Sequence, residues 1–341
     1  KMGLKAQATC VMNYDGARAV LLGEENRGLV IMFKLMNSAR LGTALQGLAM
    51  GEISYQGALS YARERLQMRS LTGPKNPAGP ADPIMVHPDV RRMLLTQKAL
   101  VEGQRAFIYW LAQQVDLTQY GNEAQQAEAS LLLELLTPIA KAFCTETSQE
   151  VTYLGVQVYG GHGYISDNGM ERIARDNRIS TVYEGTTGIQ ALDLFGRKVL
   201  GSGGSVLSNF TKIIHKYCEA HKGNAKLTEF IAPLAALNKE WGEVTMAVGE
   251  KAMANADEVG AASVDYLMYS GYIAFAYMWA QMAEVAQQKL DAGSSDPLYS
   301  GKLKTARFYF QRLLPRTATH KSAMLAGAAG LMDMSEAEFI C

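Results

Sequence analysis

The sequence predicts a mainly α-helical chain, two helical bundles in series behind a short β segment. Three observations predict it: apolar residues recur three and four apart over long stretches, Pro- and Gly-rich breaks divide those stretches, and a Gly/Ser run at 201–205 separates two groups of helices. At 341 residues and 48% apolar composition, the chain has length enough for two compact domains with sizeable cores.

At the N-terminus, Thr9, Val11, Tyr14 and Val20 flank the turn pair Asp15-Gly16, which predicts a hairpin over 7–22. Two strands do not make a domain, so residues 1–28 read as the remnant of a larger β structure. The opening Lys1-Met2-Gly3-Leu4 is no signal peptide and reads as a cut, with any targeting segment upstream. From Leu29 onward Ile31, Leu35, Leu41, Leu45 and Leu48 keep near-helical spacing, predicting a long helix that continues through a charged stretch to Arg69. Residues 70–83 hold four prolines and two glycines and must be a loop. Helical patterning resumes over Pro88–Leu117 and again over Ala124–Tyr159, where Leu132, Leu135, Ile139 and Phe143 mark one face. After a break at Gly160–Tyr164 and a mixed segment, Ile189, Leu192, Phe195 and Val199 return to helical spacing, with Thr186 placed to cap that helix. This first bundle spans 29–200. Gly201–Ser205 has the composition of a flexible linker, and 206–341 reads as a second, all-helical domain in which Phe275, Met278, Met282 and Val285 share a face and 291–297 turn.

Composition excludes several function classes. Thirty-three basic and 33 acidic residues cancel, so no overall field draws the chain to nucleic acid or an anionic membrane. The longest apolar runs are too short or too interrupted for a membrane span. Cys10, Cys144, Cys218 and Cys341 are scattered, without a Cys-x-x-Cys pair, which suits a reducing, cytoplasmic setting; a mitochondrial one stays open. The five histidines lack ligand spacing, so no metal site is expected, and there is no dinucleotide-binding Gly-x-Gly-x-x-Gly, Walker loop or Gly-x-Ser-x-Gly elbow.

Chemistry concentrates instead in three runs within 34 residues: Gln157-Val-Tyr-Gly-Gly-His-Gly-Tyr164, Arg175-Asp176, and Tyr183-Glu-Gly-Thr-Thr-Gly-Ile-Gln190. They resemble the signature of the acyl-CoA dehydrogenase family, and Gly23-Glu24-Glu25-Asn26-Arg27-Gly28 resembles that family's junction between β-barrel and helical domain. The resemblance covers residues 1–200. It implies FAD-dependent α,β-dehydrogenation of an acyl-CoA thioester, with Glu184 removing the α-proton while a hydride leaves the β-carbon for the flavin. A lone glutamate before a helix ordinarily serves only the helix dipole; its matching neighbours Tyr183, Gly185 and Thr186 select the catalytic role.

By the same resemblance, Arg65 pairs with the FAD pyrophosphate through a guanidinium fork. Gln157, Gly160 and Gly161 lie against the adenine end of an FAD bound mainly to a neighbouring subunit, and Thr186 touches the flavin of its own. Glycines at 160, 161 and 163 would let the backbone approach phosphate or ribose. Arg40 and Gly185 fall on the substrate side. A homodimer or homotetramer and electron-transfer flavoprotein are the implied partners.

Met68-Arg69 where the family often has Phe-Gly, the Pro-rich insertion, and Pro88 where it often has glutamine depart from the common pattern. They resemble the longer subfamily that includes 3-methylmercaptopropionyl-CoA dehydrogenase, whose members carry an extra C-terminal helical domain. Because the preceding domains would supply the rest of the flavin's housing, the 341-residue chain alone is expected to bind flavin weakly and to be inactive. A non-catalytic helical scaffold and an acyl-CoA oxidase are the competing readings.

Overall fold

A computed structural model describes residues 1–340, with Lys34 described by its backbone. Cys10, Cys144 and Cys218 are free thiols, and Cys341 lies outside the described residues. The mainly α prediction holds. The first group contains α1 (Gly28–Glu64), α2 (Pro88–Tyr120), α3 (Glu123–Tyr159) and the short α4 (Gly161–Tyr164), α5 (Met170–Asn177) and α6 (Thr187–Leu192). The second contains α7 (Ser205–His221), α8 (Thr228–Ala254), α9 (Asp257–Asp291), α10 (Pro297–Phe308), α11 (Arg316–Ala326) and α12 (Ala329–Met332). Among the described residues no helix is long and apolar enough to cross a membrane, and no His/Cys/Asp/Glu group could hold a metal.

Helices α1 and α3 run side by side in the same direction, and small residues let them approach. A Cβ on Gly47 would meet Ser148 Oγ at 3.1 Å, one on Gly51 would meet Val151 at 3.4 Å, and one on Gly155 would strike Ser54 Oγ at 2.1 Å. α2 returns against both, its start set by Pro88 and its turn into α3 by the Asn122–Gln125 capping box. The predicted site residues divide between the middle of this helix pair and its C-terminal end.

α9 explains why the two groups of helices form one body. Every residue from Tyr269 to Ala280 is buried, as befits a helix apolar all round, and α9 packs on α2, α3 and α6 as well as on α8, α10 and α11. One core cluster runs from Ala44 and Phe143 through Phe195 to Tyr266, Trp279 and Met324. Gly201–Ser205, expected as flexible coil, is a compact turn. The π-helical stretch Asp193–Leu200 leaves carbonyls within reach, so Gly201 N donates to Gly196 O (3.0 Å) and Gly204 N to Val199 O (2.8 Å), with Gly203 and Gly204 at φ +61° and +81°.

Two other expectations are corrected. The turn at Asp15-Gly16 forms, with Ala17 N on Tyr14 O at 3.1 Å, but residues 1–28 contain no strand, and Val11 and Val20 stand almost fully exposed. Without a third strand or a helix to cover one face, the pair has nothing to bury. The long helix ends at Glu64, not Arg69, because the chain turns extended at Arg65 and pairs with the returning loop: Gln67 N donates to Asp82 O, Asp82 N to Met68 O, and Ile84 N to Arg65 O, at 2.8–2.9 Å. The Pro-rich loop itself is ordered around the Asp82 carboxylate, which accepts from the amides of Ser70, Lys75 and Asn76 at 2.7–2.8 Å and from Arg69.

Candidate active site

Glu184 lies in the turn between Arg178–Thr181 and α6, and both it and the next residue are left-handed, at φ +58° for Glu184 and +92° for Gly185. For a non-glycine residue this costs on the order of 1–3 kcal/mol, so the surroundings must enforce it. They do so through the backbone carbonyls. Buried Gln190 donates from Nε2 to the Glu184 carbonyl at 3.0 Å, and fully buried Lys141 on α3 donates from Nζ to the Gly185 carbonyl at 2.6 Å. Thr187 donates its hydroxyl to the Glu146 carboxylate on α3, Tyr183 donates to Gln46 on α1, and Thr186 caps α6 by accepting from Ile189 N. Within this frame Glu184 Oε2 is buried and has no hydrogen-bond partner among the described residues.

Beneath the turn lies a buried charge cluster. Burial pushes the Lys141 ammonium down to about 8, against the pull of the Glu146 and Glu184 carboxylates and with a further push from Arg40. Arg40, expected beside substrate, is only 6% exposed; its guanidinium lies 3.8 Å from Asp193 and 3.5 Å from Asn37 Oδ1, and its Nε has no partner. Asp193 also draws in Arg197 and Lys198. Lys198 is buried for a reason visible in the sequence: Pro138 inside α3 has no N–H for the Glu134 carbonyl one turn earlier, and Lys198 donates to that carbonyl.

Arg65, Gln157, Gly160 and Gly161 come together at the C-terminal end of the α1/α3 pair, about 28 Å along α1 from Gln46, which lies midway along that helix, at 1.5 Å per residue. They line a cleft of about 750 Å³ with Tyr61, His87, Tyr159 and His162. Tyr61 stacks on Tyr159 at 4.2 Å between centroids and shares a 2.7 Å hydrogen bond with His162 Nδ1. Arg65 is exposed and forms no ion pair among the described residues. Gly160 ends α3 at φ +60°, and a Cβ on Gly160 or Gly161 would meet nothing within 4 Å, so both backbones are open to an occupant. Gly163 differs: a Cβ there would lie 2.5 Å from Val156 O, so this glycine serves packing of α4 on α3.

Sequence reasoning passed over Lys141, Glu146, Gln190, Tyr61 and His162. A lysine one position from Ile139-Ala140 on the apolar face of α3 was the available signal for the first, and Tyr61 one helical turn before Arg65 for the fourth.

Residues 26–199 match the family model for the acyl-CoA dehydrogenase C-terminal domain, and residues 210–335 match one described as acetyl-CoA dehydrogenase C-terminal like. The 3-methylmercaptopropionyl-CoA dehydrogenase of Ruegeria pomeroyi is 39% identical over 98% of this chain and 57% of its own length. The broad-specificity linear acyl-CoA dehydrogenase FadE5 of Mycobacterium tuberculosis is 32% identical over 99% of this chain and 58% of its own. The chain thus spans a little over half the length of these relatives. Among solved structures, the acyl-CoA dehydrogenase of Bacillus anthracis complexed with FAD shares the fold at a TM-score of 0.70 and 18% identity, over 89% of this chain and 51% of that one. The chain belongs to the acyl-CoA dehydrogenase family.

Proposed function

We propose that the chain is the helical portion of an FAD-dependent acyl-CoA dehydrogenase in which Glu184 removes the α-proton of an acyl-CoA thioester. The observation that carries this is the buried, partnerless Oε2 of Glu184, held on a left-handed turn anchored to α1, α3 and α6. The Cα–H bond breaks toward that oxygen and its electron pair becomes the new C=C bond as the β-hydrogen departs as hydride. FAD, when bound, supplies the hydride acceptor.

The residues present fit that cofactor. Arg65 is a free guanidinium fork at the rim of the cleft, and Gly160 and Gly161 expose backbone where a side chain would obstruct. Together with Gln157 they would hold the pyrophosphate and adenine half. Their distance from Glu184, whose turn is tied to the middle of α1 and α3, supports a cofactor site shared between two copies of the chain, with Thr186 and Glu184 facing the flavin of their own copy. Arg40, locked by Asp193, would act on substrate as a fixed positive field and not as a mobile clamp. The two family-model matches support a division at 201–205 into bundles of residues 29–200 and 206–341 that share one core. Electron-transfer flavoprotein is the proposed acceptor of the electrons.

The test uses the full-length enzyme with FAD and a panel of acyl-CoA esters, following anaerobic bleaching of the flavin. Glu184→Gln should slow bleaching by about 10²–10⁴-fold, the range for loss of a general base. Undiminished bleaching in that variant would require another base, and a parent that no ester bleaches would overturn the reading.

A further inference from the structure

We propose that Lys141 is the positioning residue of this site, fixing the Glu184 turn through the Gly185 carbonyl. This rests on the dehydrogenase reading above. Lys141 is fully buried in α3, and its ammonium makes one hydrogen bond among the described residues, to the Gly185 carbonyl at 2.6 Å. A buried ammonium is costly and survives where its charge is answered. The carboxylates that answer this one are Glu146, five residues on along α3, and Glu184 itself; Arg40 on α1 opposes them. Asp193 lies against Arg40 and blunts its repulsion of Lys141.

The hydrogen bond fixes the orientation of the peptide after Gly185, in a turn whose two successive left-handed residues would otherwise relax. It does so without occupying the Glu184 carboxylate. Glu146 completes the frame by holding Thr187, the first residue of α6, so that the turn is tied to α3 on both sides of Thr186.

Lys141→Met removes the donor, whereas Lys141→Gln keeps one. Hydrogen exchange of the 341-residue chain should show the amides of 183–190 exchanging at least tenfold faster in Lys141→Met, with α2 and α9 unchanged; in Lys141→Gln the exchange stays near the parent rate. In the full-length enzyme Lys141→Met should slow flavin reduction at saturating substrate at least tenfold, and Lys141→Gln should restore most of that rate. Parent-like exchange at 183–190 or a parent-like reduction rate in Lys141→Met would overturn the proposal. If Lys141→Met unfolds, Lys141→Gln carries the test, and tenfold faster exchange at 183–190 in that variant would overturn it. If no ester bleaches the parent, the dehydrogenase reading falls, and the exchange result alone decides whether Lys141 fixes the turn.

Discussion

Replacing Gly185 with alanine tests whether the Glu184 turn is as tightly enforced as its hydrogen bonds indicate. Two costs add. The residue sits at φ +92°, where a Cβ crowds the backbone at a cost of about 1–2 kcal/mol. That Cβ would also lie 2.4 Å from Gln190 Nε2, the atom that donates to the Glu184 carbonyl. Gln190 is fully buried and its Oε1 already lacks a partner, so the amide has no second arrangement to fall back on. Losing its bond to Glu184 adds about 1 kcal/mol. Gly204→Ala is the control, since Gly204 has φ +81° and ψ 0° but a Cβ there meets nothing within 4 Å. Urea unfolding followed by far-ultraviolet circular dichroism should place Gly185→Ala about 2–3 kcal/mol below the parent and roughly 1 kcal/mol below Gly204→Ala. Equal losses in the two variants would refute the claim that Gln190 clamps the turn.

Four further outcomes follow from the same contacts. Gly271→Ala on α9 would put a Cβ 2.2 Å from the Phe143 ring of α3, where neither helix can yield, and should lower stability by about 1–3 kcal/mol in the same urea experiment. Arg316 reaches across from α11 to Glu150 on α3 with two hydrogen bonds of 2.7 and 2.8 Å; a double-mutant cycle with Arg316→Met and Glu150→Gln should give a coupling of about 1 kcal/mol, discounted because both side chains are about a third exposed. Asp82 is held down at about 2 by the amides that ring it, below its ordinary 3.8, so its contribution is complete above about 3.8 and lost as pH falls through about 2. Limited proteolysis of the 66–83 loop should therefore stay slow in the parent down to pH 4 and become fast at neutral pH in Asp82→Ala. Arg65→Met should weaken FAD binding by the full-length protein roughly 10–100-fold, the worth of a charge-assisted hydrogen bond, with no change in melting temperature.

Much of the fold was legible because its signals are local. The four prolines of 70–83, the capping residue Thr186, and the three-and-four spacing of Leu132, Leu135, Ile139 and Phe143 each act within a few residues of where they stand. The failures were of the other kind. Nothing within residues 7–22 says that a hairpin will lack a covering face, and nothing within 65–69 says that the helix must stop early to pair with a loop that returns at Asp82. Gly201–Ser205 looked like coil because glycine and serine permit coil. The π-helical turn before it offers the carbonyls that make it a cap, and the shared core on either side removes any freedom it had.

The candidate site divides in the same way, and the division says what kind of information each residue carries. Glu184, Gly185 and Thr186 were legible as a motif because they stand together in one short contiguous run. Lys141, Glu146 and Gln190 act on that run through hydrogen bonds to its backbone and hydroxyls, from positions inside helices. In a linear reading a lysine on an apolar face is an anomaly with no partner in view. Only the parallel packing of α3 on α1, made close by Gly47, Gly51 and Gly155, brings its ammonium under a turn 44 residues later. The same packing brings Arg65 and Gly160 together at the C-terminal end of the pair, about 28 Å along α1 from Gln46, so that the groups proposed to hold the cofactor's phosphates stand well apart from the proposed base.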